Sequence, residues 1–161
     1  MQLDIDVEGW PDHHDWEALC QQALDALVGV EPALNSSRLI TSVLYTSDTQ
    51  VHELNKEWRG KDKPTNVLSF PMLERDDLLA LAAEGPPEML GDIALAFETC
   101  QREADEKAVA LKDHTAHLLV HGFLHLAGHD HVDSDSQAAA MEKLEVEALA
   151  KLGIADPYGD R

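Results

Sequence analysis

His121-Gly-Phe-Leu-His-Leu-Ala-Gly-His-Asp-His131 places histidines at 121, 125 and 131, with a further one at 129. On a helix, residues four apart sit one turn above each other, so His121 and His125 share a face. Gly128 lets the helix end, because glycine reaches left-handed backbone conformations without a steric penalty. A chain that turns back there can bring His131 over the same face as a third ligand. Three neutral imidazoles hold a zinc ion and leave a fourth position open, as in catalytic zinc sites. Four of the nine histidines of the chain fall in these eleven positions, a clustering that chance placement rarely produces.

At 161 residues the chain fits one domain, taken as residues 1–161, with enough length to bury a core. Hydrophobic content of 44% and charged content of 27% are ordinary for a globular protein. No apolar run approaches the ~20 residues of a membrane span. The start, Met-Gln-Leu-Asp-Ile-Asp-Val-Glu, is acidic and alternating, unlike the basic and then apolar opening of a signal peptide. The expectation is a cytoplasmic protein with no membrane partner. Cys20 and Cys100 are far apart and read as two reduced, buried thiols. The formal net charge of −19 counts against a nucleic-acid partner. Yet Lys56, Arg59, Lys61 and Lys63 lie within eight positions, opposed only by Glu57 and Asp62. An acidic protein with one basic segment can hold a phosphate backbone there, weakly and with strong salt dependence.

Along the chain, residues 3–8 alternate as a half-buried strand, and residues 15–28 repeat at helical spacing. Residues 38–46 are rich in β-branched side chains and read as a second strand. Ser47 or Asp48 caps a short helix expected to turn Val51, Leu54 and Trp58 inward, closed by Gly60. Val67 to Phe70 is a third strand stopped by Pro71. Residues 73–90 are acidic, contain Gly85-Pro86-Pro87, and read as a long surface loop with at most one helical turn near Leu78 to Ala82. Gly91 to Phe97 is a fourth strand. Three helices follow, over about 98–109, 113–127 and 134–152, the last opened by capping residues at 133–136 and ended by Gly153. The expected fold class is α/β (α+β): a small mixed sheet of about four strands flanked by helices.

The histidine spacing matches that of the metzincin proteases, His-Glu-x-x-His-x-x-Gly-x-x-His. Those enzymes need the Glu after the first His as general base. Here that position is Gly122, which cannot take a proton. A bound zinc can instead acidify water and polarise a phosphoryl oxygen. Phosphodiester cleavage also needs a cation where negative charge gathers, and Arg59 is the candidate. Its alternative is a solvated helix end or an ion pair with Glu57 or Asp62. By spacing alone, either His129 or His131 could be the third ligand. Asp130 could fix an imidazole tautomer or be an exposed loop carboxylate. His117, four before His121, could extend the ligand row or back it from the core.

Taken together these segments resemble the YbeY family of zinc-dependent single-strand endoribonucleases. Residues 121–131 reproduce its signature, which resembles His-Gly-x-Leu-His-Leu-x-Gly-Tyr-Asp-His, except at His129. Leu54-Asn-Lys-Glu-Trp-Arg59 and Pro64-Thr-Asn-Val-Leu-Ser-Phe-Pro71 are similar to a second family block, with Trp58 in place of Tyr. Leu90-Gly-Asp-Ile93, the segment around Met141 and Glu145, and Asp156-Pro-Tyr158 resemble further blocks in the same order. Both departures keep a flat ring, so packing or base stacking is expected to survive. The resemblance implies metal ligands His121, His125 and His131, Zn2+ as cofactor, and Arg59 as the residue important for activity. Lys61 and Lys63 would bind substrate, with Asp130 and His117 behind the ligands. It also implies 3′-end maturation of 16S ribosomal RNA on the small ribosomal subunit, and ribosome quality control. The −19 charge adds that a ribosome-associated protein partner would help to bring RNA to the site. The competing readings are a metallopeptidase-like hydrolase and a non-catalytic, zinc-containing ribosome-assembly factor.

Overall fold

From His114 onward, Leu111–Leu126 is buried almost all round, so most of its faces must be covered by neighbouring elements. Ala116, Leu118, Leu119, Val120, Phe123, Leu124 and Leu126 are all buried. Everything else in the computed structural model, which describes residues 1–130 and 134–159, is arranged around this helix.

The elements run β1 (Gln2–Val7), α1 (Trp16–Val28), a 3-10 turn (Pro32–Leu34), β2 (Leu39–Thr46), α2 (Asp48–Arg59) and β3 (Val67–Pro71). They continue with α3 (Arg75–Leu79), β4 (Glu88–Ala96), α4 (Phe97–Lys107), α5 (Leu111–Leu126) and α6 (Asp135–Lys151). The sheet has the order β1-β2-β4-β3. β1, β2 and β4 are parallel, and β3 runs antiparallel along β4. This is the mixed four-stranded sheet with flanking helices that the sequence predicts. Leu39, Thr41, Val43 and Tyr45 alternate into the main core, which α1 and α5 cover. A smaller cluster of Val51, Leu68, Ala94 and Ala96 lies under α2. Burying a side chain the size of Phe123 contributes about 1.5–3 kcal/mol. Cys20 and Cys100 are buried free thiols, as expected.

The structure departs from the sequence reading in two places. Trp58 does not turn inward: it is 68% exposed. The inward position one turn after Val51 belongs instead to Asn55, whose amide donates to the carbonyl of Lys63 at 2.9 Å. A buried amide with a backbone partner costs little, and it draws the basic turn back onto the helix. Gly60 then ends α2 in the left-handed region (φ 68°).

The stretch from 73 to 90 is also more ordered than expected. α3 occupies Arg75–Leu79, and β4 begins at Glu88 rather than Gly91. Its first residues pair with the start of β2, Leu39 with Glu88 and Ile40 with Met89. Arg38 ties down the intervening turn by donating to the carbonyls of Ala82 (3.0 Å) and Pro86 (3.1 Å). Local composition reads Gly-Pro-Pro as loop and does not register a strand made by pairing with residues some fifty positions away.

Candidate active site

α5 delivers two imidazoles to the floor of an open cleft of about 1430 Å³. His121 and His125 stand one turn apart with Nε2 atoms 3.0 Å from each other and ring planes at 79°. Directly after them the helix is capped, the N–H of Gly128 donating to the carbonyl of His125 and that of His129 to Leu124. Gly128 has φ 94°, the backbone conformation expected of a glycine at that turn.

Behind His121 stands Glu145 of α6, which is 1% exposed. Nδ1 of His121 donates to its Oε1 at 2.6 Å. Nε2 of His117 and the hydroxyl of Tyr158 donate to its Oε2, at 2.9 and 2.6 Å. Burial opposes the charged carboxylate, but the bonds from His117, His121 and Tyr158 outweigh it and hold the pKa down at about 2. An ionised acceptor fixes the proton of His121 on Nδ1. Its Nε2 lone pair therefore faces His125 across the cleft. His117, with its Nε2 committed to Glu145, backs the pair from the core rather than extending the ligand row.

His129 Nε2 donates to Glu31 Oε2. Asp130 lines the cleft beside it, half-buried. Among the described residues no three His, Cys, Asp or Glu side chains converge to hold a metal ion, so neither His129 nor His117 completes a triad with His121 and His125. The remaining candidate, His131, lies outside the described residues. Two facing imidazole nitrogens, one with its outer nitrogen bound to a carboxylate, are a donor set suited to zinc.

Gly122, between the two histidines, faces the sheet. A Cβ there would stand 3.2 Å from Cδ1 of Ile93. The position that bears the general base in metzincins is therefore packed against β4, with no room for a carboxylate.

The cleft also has cationic lining. Arg59, Lys61 and Lys63 line the same cleft as His121 and His125. Arg59 donates a long bond (3.4 Å) to the carbonyl of Ser69. Asp62, a partner considered for it, is taken up by His52 (2.7 Å) and Lys56 (4.0 Å) instead. Asn66 and His114 both donate to Glu103, at 2.9 and 2.8 Å, anchoring residues 64–66 to α4 and α5.

The sequence reading gave Glu145 no role, although a signal was present. Met141, Glu145, Ala148 and Leu149 form the buried stripe of α6, so a carboxylate sits at an apolar position of the heptad. Glu31 and Glu103 left no such signal. Their partners are distant in the chain.

Paired imidazoles on α5 and cationic side chains lining one cleft are groups suited to hydrolysis of a phosphodiester. The family model described as "Endoribonuclease YbeY" matches residues 4–153, and the chain belongs to that family of endoribonucleases. It is 68% identical over 161 residues to the Endoribonuclease YbeY of Erythrobacter litoralis, covering 100% of this chain and 99% of the relative. With the same-named protein of Novosphingobium aromaticivorans it shares 53% over 159 residues, 98% and 95% of the two chains. The solution structure of a Thermotoga maritima protein has the same fold, with a TM-score of 0.59 at 23% identity over 94% of this chain and 92% of that one. No helix among the described residues is long and apolar enough to cross a membrane.

Proposed function

We propose that this chain is a zinc-dependent endoribonuclease, specific for single strands, that matures the 3′ end of 16S ribosomal RNA and serves ribosome quality control in the cytoplasm. The observation that carries the reading is the His121–His125 pair, backed by Glu145 and lining one cleft with Arg59. His121 and His125, joined by His131, would hold the metal. Zinc supplies Lewis-acid chemistry, acidifying a water from about 15.7 towards 7 and polarising a phosphoryl oxygen.

The protein's own groups do the rest. Glu145 keeps the His121 ring in one tautomer and one orientation. Arg59 presents a planar fork to the phosphoryl oxygens, where charge accumulates as the fifth oxygen approaches phosphorus. Lys61 and Lys63 hold flanking phosphates. That grip is salt-dependent, because each contact releases counterions. On a chain of net charge −19, so small a basic wall favours delivery of RNA by the small ribosomal subunit or a ribosome-associated protein. The peptidase alternative loses its base to Gly122.

The test compares wild type, Arg59→Glu and His125→Ala on a single-stranded rRNA fragment and on casein, with zinc measured by atomic absorption. Expected are RNA cleavage by wild type only, no casein cleavage, and zinc retained in Arg59→Glu but lost in His125→Ala. Wild type that keeps zinc and cuts neither substrate would sink the enzyme reading in favour of a structural zinc protein.

A further inference from the structure

We infer that Glu31 and Arg75 are positioning residues for the turn at residues 127–129 that follows His125, and that His129 is the handle they hold. The inference rests on the metal-site reading above. Three consecutive residues after α5 are each engaged. Arg75 Nη1 donates to the carbonyl of Ala127 at 2.7 Å. The stem of Arg75 lies against Gly128 so closely that a Cβ there would be 2.7 Å from Cβ of Arg75. His129 Nε2 donates to Glu31 Oε2, and the same oxygen accepts from Arg75 Nη1 at 3.2 Å.

Glu31 itself is 6% exposed and held from its own side, its Oε1 accepting from the N–H of Ala33 (3.3 Å) at the start of the 3-10 turn. A buried carboxylate with donors from three separate segments has no cheap alternative arrangement. It therefore acts as a rigid post, and the turn is tied to it at both ends. Residue 131 follows two positions after the held ring. The family pattern carries Tyr at 129. The histidine of this chain offers a charge-assisted bond to Glu31 in its place.

The experiment titrates zinc into apo-protein against a chromophoric chelator for wild type, Glu31→Gln, Arg75→Met and His129→Phe. Leu24→Ala, a variant in the buried face of α1 that removes no hydrogen bond of the clamp, controls for lost stability. Amide exchange at residues 128 and 129 is read in parallel. Expected are a loss of zinc affinity in the three clamp variants and none in Leu24→Ala, with faster exchange at both amides. Combining Glu31→Gln with His129→Phe should weaken zinc no further than the worse single change. Clamp variants that fold and bind zinc like wild type overturn the inference while leaving the metal site intact. If wild type binds no zinc, the metal reading fails. The exchange arm then decides the clamp alone: unaltered exchange in the variants overturns it, and faster exchange upholds it.

Discussion

Glu145 stands 2.6 Å behind Nδ1 of His121, and the two residues come from different helices, α6 and α5. The carboxylate also accepts hydrogen bonds from His117 and Tyr158, so it serves the pocket and the core together. Glu145→Gln keeps the volume but offers a donor where three donors already converge. Zinc affinity should fall about tenfold to a hundredfold, measured by chelator competition. Glu145→Ala should in addition destabilise the protein by about 1–3 kcal/mol for each donor left unsatisfied, read from urea unfolding. Unchanged zinc affinity in both would show that His121 is oriented by something else.

Gly122→Glu writes the metzincin motif into the sequence. It should not create a protease, because the new side chain would be driven against Ile93. Overpacking alone costs about 1–3 kcal/mol, and a buried carboxylate adds to that. The expected result is a lower unfolding midpoint and no casein cleavage. Casein cleavage by a stable variant would show that the packing argument is mistaken.

Acid should weaken the wall that holds residues 64–66. Burial lowers the pKa of His114 below its usual 6.5, against the opposing pull of Glu103. Burial would raise Glu103, but the bonds from Asn66 and His114 prevail and lower it below 4.5. Both groups bind protons more tightly in the unfolded chain, so their contributions act in the same direction. The His114 contribution is complete above 6.5 and declines as pH falls below it; that of Glu103 follows below 4.5. Urea unfolding followed from neutral to acid pH should show the two declines in that order, with the upper one absent in His114→Asn. Stability that rises on acidification over this range contradicts the assignment.

Trp58 is 68% exposed and sits between Lys56 and Arg59 in sequence. Its ring adds little to the core, so Trp58→Ala should change stability by no more than about 0.5 kcal/mol. If it stacks on an unpaired base, RNA affinity falls by about 1–3 kcal/mol, measured by fluorescence anisotropy with a labelled single strand. Affinity equal to wild type would leave the exposed indole without a role in binding.

The parts of the fold legible in the sequence were those set by local pattern. α5 declared itself through the spacing of His121 and His125 and through Gly128, and β2 through its β-branched run. The histidine pair followed from a spacing of four on that helix. What escaped was made by contacts between distant segments. β4 begins at Glu88 only because β2 lies beside it. Trp58 turns outward because Asn55 has a partner in the loop beyond the helix. Glu31 meets His129 across 98 positions, and nothing in either neighbourhood announces the other. His131 falls outside the described residues, so the third ligand stands on sequence pattern alone.

The order of the chain has a further consequence. α5, with both histidines, is synthesised before α6, which carries Glu145, and before Tyr158, which donates to it. A nascent chain thus displays its two imidazoles while the ring of His121 is still free to rotate and tautomerise. The site acquires its final geometry only when the C-terminal helix folds back.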